Sequence, residues 1–428
     1  MMNPSQASDT MEMTTSRRQF LRSSSALLIG AAASTTQVAR AQQYTANPIE
    51  ENYWTLVRSK FAFSEALVPM NAANLCPSFR EVAETVQTLT YDIDRDCSFN
   101  NRAKFGDLLE SSRNLIAEQL NVSAEEIALV RNTSEANNII NNGIQLNEGD
   151  EVLLWDQNHP TNNVAWDVRA ARFGIVINRV SSPDNPKTKQ ELIDAFTSQF
   201  NSQTRVLSIT HVSNVSGIKL PIKEIVKAAH AKDIYVHVDG AQVWGAMSLD
   251  LKALDVDSFS ASAHKWYMGP KEVGLLYVKE QNIERIWPNT VAPGWGSTAE
   301  TTLSGARKFE SLGQRDDAAL AAVGVAATQH NNIGTQRIQH RVVQLAQRLK
   351  IGISELGLEL VTPMDAELSF GVCITRAPNN GGGNISNRLY TEHGIAAAAT
   401  GGVRLCPTIY NSPEHIDRAI AGMREIMI

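Results

Sequence analysis

Lys265 sits in the run Ser262-Ala263-His264-Lys265-Trp266. It follows Asp239 by 26 positions, and Asp239 closes the apolar run Ile234-Tyr235-Val236-His237-Val238. One acid ends a strand, and one lysine, flanked by a serine and a histidine, lies just beyond the next. A coenzyme with an aldehyde, a pyridine nitrogen and a phosphate needs such a set. The amine forms an imine with the aldehyde, the acid pairs with the pyridinium nitrogen, and small polar groups hold the phosphate. That coenzyme is pyridoxal 5'-phosphate (PLP).

Other residues fit the same chemistry. Asn132-Thr133-Ser134-Glu135-Ala136-Asn137-Asn138 opens a helix, whose free N–H groups and dipole suit an anion, and Ser134 adds a hydroxyl. Such a start is also an ordinary helix cap. His159, in Asn158-His159-Pro160-Thr161-Asn162, follows a strand and offers a flat ring to stack on a pyridine, or a local hydrogen bond. Asn214, in His211-Val212-Ser213-Asn214-Val215-Ser216-Gly217, is placed to donate to a phenolic oxygen, although Asn and Gly also favour turns. Asp239 is costly at the end of a buried strand unless paired. Lys265 in a desolvated site becomes a neutral nucleophile, and once released it is placed to move an α-proton. Arg404 lies in the apolar stretch Gly402-Val403-Arg404-Leu405-Cys406. Its guanidinium there calls for a substrate carboxylate or an internal acid.

The elements that must position these groups alternate. Strands are expected at 151–155, 175–180, 204–210, 234–238, 257–261 and 273–278, with helices near 103–120, 161–173, 189–199 and 221–231. That order predicts an α/β fold: a mostly parallel sheet with helices on both faces, its strand-to-helix loops gathered at one edge. After about residue 316 the pattern becomes a smaller α+β domain. It holds a long helix through Val342, Leu345, Leu349 and Ile353, strands near 368–375 and 402–405, and a last helix capped by Ser412 with Pro413 in its first turn. The Asn379–Asn384 segment reads as a flexible glycine loop. The expected organisation is a leader over 1–41, an N-terminal segment over 42–70, a large domain over 71–316 and a small domain over 317–428.

Composition sets bounds. The chain has 428 residues, 43% hydrophobic and 20% charged, and a formal net charge of −6. No basic footprint supports nucleic-acid binding. Cys76, Cys97, Cys373 and Cys406 are scattered without a C-x-x-C and read as packing residues, and no metal site is expected. His237-x-Asp239 could be a metal pair, but its strand-end setting favours the coenzyme. The N-terminus carries Ser16-Arg17-Arg18-Gln19-Phe20-Leu21-Arg22, an apolar run to about Ala33 and Ala39-Arg40-Ala41. These read in order as a twin-arginine signal cleaved near Ala41, with no stable membrane anchor. The expected location is the periplasm, reached by the twin-arginine (Tat) translocase. That route carries folded proteins, which suits an enzyme loaded with PLP before export.

From about Asn71 onward the chain resembles the class V aminotransferase family, which includes cysteine desulfurases and isopenicillin-N epimerase. The resemblance rests on the runs 132–138, 158–162, 211–217, 238–242 (Val-Asp-Gly-Ala-Gln), 262–270 and 404–411 (Arg-Leu-Cys-Pro-Thr-Ile-Tyr-Asn). It implies PLP fold type I, with a seven-stranded sheet and a homodimer whose active site lies at the interface. Lys265 then carries the coenzyme, His159 stacks on its ring and Asp239 holds the ring nitrogen. Asn214 and Gln242 bond the phenolic oxygen, and Thr133, Ser134, Ser262 and His264 take the phosphate. Arg404 and Asn74 are assigned to the substrate, Arg404 to its carboxylate. The loop Gly294-Trp295-Gly296-Ser297-Thr298 would complete the partner chain's phosphate site. Desulfurases carry a reactive cysteine ahead of the equivalent of Arg404. Here the stretch is Ile395-Ala396-Ala397-Ala398-Ala399-Thr400-Gly401-Gly402. Gly313-Gln314-Arg315-Asp316 also replaces the Gly-Thr-Arg-Asp frequent in epimerase-like members. The implied activity is epimerase- or aminotransferase-like chemistry at the α-carbon of an amino acid or peptide-linked amino acid, a branch that includes exported enzymes trimming siderophore precursors. A desulfurase and a non-catalytic binding protein are the alternatives.

Overall fold

Seven strands, separated by helices as far as the sixth, run from residue 127 to residue 278. The computed structural model describes residues 51–291 and 304–428. The expected signal segment and the loop at Gly294–Thr298 lie outside the described residues. The strands are β2 (Ile127–Val130), β3 (Glu151–Trp155), β4 (Val176–Val180), β5 (Thr204–Thr210), β6 (Tyr235–Asp239), β7 (Ser258–Ser262) and β8 (Gly274–Val278). They form one sheet in the order β2-β8-β7-β6-β5-β3-β4, and only β8 runs against its neighbours. β2, β3, β6, β7 and β8 are buried at every position. Helices cover both faces of such a sheet, so β2, β3 and β8 read as apolar runs rather than as alternations.

One core cluster joins Val130, Val152, Leu154, Val206, Leu276 and Val278 of the sheet to Ile139, Ile140 and Trp166 of two helices. Each such side chain contributes roughly 1.5–3 kcal/mol on burial. The helices are Thr133–Gly143 and Pro160–Phe173. The first starts at the end of β2 and the second just after β3. The sheet therefore fixes where both N-termini point.

A second cluster lies among helices Thr335–Glu355, Gly382–His393 and Pro413–Met427 and short strands. β1 (Val68–Pro69) pairs in parallel with β10 (Ile395–Ala396), and β9 (Cys373–Thr375) pairs antiparallel with β11 (Val403–Leu405). Ser412 caps the last helix by accepting the His415 N–H, as its sequence predicts.

Three readings are corrected. The segment 379–384 is not a loop: a helix begins at Gly382, within the glycine run. Gly382 is buried, and a Cβ there would lie 2.8 Å from the Gly402 carbonyl oxygen, so glycine serves close packing. Cys97 is exposed rather than packed, while Cys76, Cys373 and Cys406 are buried. Helix Arg80–Arg95 and strand β2 were not anticipated. Only Val82 of that helix is buried, and β2 is four residues long, so each gives a weak periodic signal.

Candidate active site

The polar residues singled out by sequence lie mostly at the carboxyl ends of parallel strands. β2 leads to Asn132–Ser134, β3 to His159, β5 to Asn214, β6 to Asp239 and Gln242, and β7 to Ser262–Lys265. Right-handed crossovers place these loops at one edge, the usual ligand site of an open parallel sheet.

Lys265 is held in the β7–β8 connection. The Met268 N–H donates to the Lys265 carbonyl at 2.9 Å, and Gly269 N–H to Ala263 at 2.8 Å. Met268 adopts φ 52°, a left-handed conformation rare for a bulky residue. The packing around Met268, which is fully buried, holds it there. Lys265 keeps some accessible surface. Desolvation still pushes its amine below the ordinary lysine value; Asp239 opposes that shift and Arg404 adds to it. A neutral amine is what attack on an aldehyde requires.

Asp239 is buried and receives only neutral donors. Its Oδ1 accepts the Ala241 N–H at 3.0 Å and its Oδ2 accepts the Asn137 amide at 2.9 Å. Gly240 makes this turn possible. A Cβ there would lie 1.8 Å from the ring of Phe259, so no larger residue fits.

Arg404 is buried on β11 and meets no carboxylate among the described residues. Its Nη1 donates to the Asn214 carbonyl at 3.0 Å, its Nη2 to Asn71 Oδ1 at 3.1 Å, and its Nε has no partner. The internal salt bridge that would have explained it is not there. Gly401, at φ 71°, lets the hairpin before Arg404 approach the Val215 carbonyl, which a Cβ would meet at 2.1 Å. That hairpin is short: Ala398 and Arg404 exchange both backbone hydrogen bonds, at 3.1 and 2.7 Å.

The helix N-terminus at Thr133 is tied down by its neighbours. Ser262 Oγ accepts the Thr133 N–H at 2.8 Å and lies 2.6 Å from Thr133 Oγ1. Asn132 takes the Glu135 N–H. One of the two hydroxyl protons is spent between Thr133 and Ser262, and the other is available to an anion. Gly274 packs under this turn, where a Cβ would meet the Asn132 backbone at 2.6 Å. Ser134 is half-buried at the second helical position, and its hydroxyl reaches Thr161 Oγ1 at 3.4 Å.

His159 caps its helix. Its Nδ1 accepts the Thr161 N–H at 3.3 Å, which leaves the proton on Nε2. Desolvation first, then Lys265, lowers its pKa, against Asp239. His159 is exposed. His264 donates from Nδ1 to the Lys271 carbonyl at 3.2 Å, and burial pushes its pKa down to about 4. Its Nε2 is therefore a lone pair until an anion draws a proton to it.

Gln242 is more committed than its sequence suggests. Its Nε2 donates to the Ala73 carbonyl at 3.1 Å, and its Oε1 accepts the Trp266 indole N–H at 2.9 Å. One amide hydrogen remains for a ligand. Asn214 is buried and gives its carbonyl to Arg404. Asn74 is exposed, and it is Asn71 that touches Arg404. Asn71, Asn137 and His237 are the residues that sequence reasoning did not assign, because their partners lie far along the chain.

These residues fit PLP on their own chemistry. A buried carboxylate, a buried guanidinium and a desolvated amine, none of them in an ion pair among the described residues, act on one another in one place. Among the described residues no group of side chains could hold a metal ion. The arrangement defines a PLP-dependent enzyme of fold type I. The Aminotransferase class-V pattern matches residues 82–410, and the chain belongs to that family. Among its relatives is isopenicillin N epimerase of Amycolatopsis lactamdurans, 28% identical over 76% of this chain and 85% of that one. The epimerase of Streptomyces clavuligerus is 25% identical over 85% and 96%. The cysteine desulfurase of Cronobacter sakazakii is 29% identical over 74% and 82%. Among solved structures, a mutant of C-DES with glycine covalently linked to its PLP cofactor superposes with a TM-score of 0.79 at 23% identity, over 86% of this chain and 99% of that one. The cysteine desulfurase of Thermococcus onnurineus NA1 gives 0.77 at 21%, over 87% and 97%. These two likenesses establish the shared fold.

Proposed function

We propose that this enzyme acts at the α-carbon of an amino acid, free or peptide-linked, with epimerase- or aminotransferase-like chemistry on a substrate such as a siderophore precursor. The observation that carries the reading is Arg404, a buried cation with no anionic partner among the described residues, electrostatically coupled to Lys265 and His159. A carboxylate completes it with charge-assisted hydrogen bonds, and this fixes the α-carbon relative to the amine.

Bound PLP supplies an electron sink that eases loss of a substituent from the α-carbon. This chain supplies the rest. Asp239 would hold the ring nitrogen, the Thr133–Ser134 turn with Ser262 and His264 would hold the phosphate, and His159 would cover the ring. Asn214 and Gln242 reach the phenolic oxygen. Lys265 would hold the coenzyme, and its free amine would move the α-proton.

A cysteine desulfurase is the second reading, favoured by relatives of that name. It meets an obstacle in the three buried thiols. Burial pushes Cys76 and Cys373 up to about 12 and raises Cys406 as well. The tight Ala398–Arg404 hairpin carries no cysteine.

We further propose that the enzyme is a homodimer, exported by the Tat translocase and active in the periplasm. Replacing Arg17 and Arg18 with lysine and assaying periplasmic fractions tests this; undiminished export would refute it.

The functional test is a screen of PLP-loaded enzyme against L- and D-amino acids and amino-acid-terminated peptides, with product mass and chirality measured. Products altered at the α-carbon support the proposal. Sulfide release from cysteine as the main turnover would replace it with the second reading.

A further inference from the structure

Behind Asp239 lies a buried chain of hydrogen bonds whose directions follow from Asp239 as an acceptor. An ionised carboxylate only accepts, so the Asn137 amide must point its NH2 at Asp239 Oδ2. Its carbonyl oxygen then faces two donors, His237 Nε2 at 2.9 Å and the Ser260 hydroxyl. His237 thus carries its proton on Nε2. Its Nδ1 accepts from Ser258 Oγ at 2.7 Å. Asn137 is 1% exposed, and His237, Ser258 and Ser260 are 0%.

The sheet builds this chain from a simple pattern. Residues 237 and 239 share one side of β6, and 258 and 260 share one side of β7. Register pairs His237 with Ser258 and Asp239 with Ser260. The helix that begins at Thr133 lays Asn137 across both pairs.

Every member except Asp239 is neutral. Burial pushes the His237 imidazole down to about 4, although Asp239 pulls the other way. A cationic histidine would pass positive charge toward Asp239 and weaken its claim on a protonated ring nitrogen. An amide between them transmits orientation without charge.

We propose that Asn137 and His237 are positioning residues: they fix the Asp239 carboxylate through neutral hydrogen bonds and so leave its charge for the ring nitrogen of PLP. The inference rests on the reading of Asp239 as the partner of that nitrogen.

The experiment uses full-length enzyme stripped of PLP and titrated with PLP, following affinity, the visible absorption band and its pH midpoint. Asn137→Leu and His237→Leu leave buried donors unpaired. They are expected to weaken PLP binding about tenfold or more and to displace the band or its pH midpoint. His237→Gln keeps a donor toward Asn137 and is expected to stay within about threefold of wild type, and Ser258→Ala to fall between. A merely structural role would lower the melting temperature of His237→Leu and His237→Gln alike and leave the spectrum of the bound coenzyme unchanged.

Folded leucine variants with wild-type affinity and spectrum would overturn the proposal. So would a glutamine variant as impaired as the leucine one. If Asn137→Leu fails to fold, the His237 pair and Ser258→Ala decide. Failure of the wild type to bind PLP would instead overturn the reading of the site as a whole.

Discussion

Replacing Arg404 with methionine separates a substrate-binding role from a structural one. The substitution removes two hydrogen bonds, to the Asn214 carbonyl and to Asn71 Oδ1. Each contributes roughly 1 kcal/mol to stability. It also removes a buried charge that no carboxylate among the described residues offsets, and an uncompensated buried ion costs several kcal/mol. The two effects oppose each other, so the melting temperature of the apoprotein should move by no more than about 3 °C. Catalysis has no such offset. Truncating one side of a buried charge pair costs roughly 2–5 kcal/mol, or about 30-fold to a few thousand-fold in kcat/KM. The assay compares an amino acid with the amine that lacks its carboxylate. Wild type should prefer the acid strongly, and Arg404→Met should lose the preference while handling the amine as before. Arg404→Lys keeps the charge but not the fork, and should recover only part. A methionine variant that still discriminates acid from amine would refute the argument. So would one that simply unfolds.

Other consequences follow from the same geometry. Gly240→Ala places a Cβ 1.8 Å from the Phe259 ring, which should cost about 1–3 kcal/mol and weaken PLP binding. Adding Phe259→Leu should restore part of both in thermal melts and PLP titrations. His211, His237 and His330 are held at about 3, 4 and 4 against an ordinary 6.5. Between those values the unfolded chain binds more protons than the folded one, so stability falls as pH drops from 6.5 toward 4. The urea midpoint should track that window, and His330→Phe should flatten it; a midpoint constant down to pH 4 would contradict the burial argument. For Lys265 the folded amine titrates below the ordinary 10.5. The rate at which apoenzyme captures PLP should therefore rise with pH and level off below that value, and a midpoint at or above it would count against a desolvated amine.

Much of this site was legible because each chemical residue ends an element with a strong local signal. Asp239 closes an apolar run, Pro160 follows His159 at a helix start, and Lys265 lies between two buried strands. The strands at 151–155 and 204–210 fall where periodicity put them. What was illegible depends on distant pairing. Asn71 meets Arg404 across 333 residues, and Asn137 meets Asp239 across 102. No spacing rule reaches that far. The helix at Gly382 was hidden because its glycines serve close packing against Gly402, and sequence shows only their flexibility. Gln242 looked free because the indole of Trp266, 24 residues on, folds back onto it.

The central claim is that the amine of Lys265 holds the coenzyme. Reducing PLP-loaded enzyme with borohydride, digesting it and sequencing the peptides by mass spectrometry tests this directly. One pyridoxyl-modified peptide is expected, with the adduct on Lys265 and none in Lys265→Ala. An adduct on another lysine, or no adduct in the wild type, would contradict it.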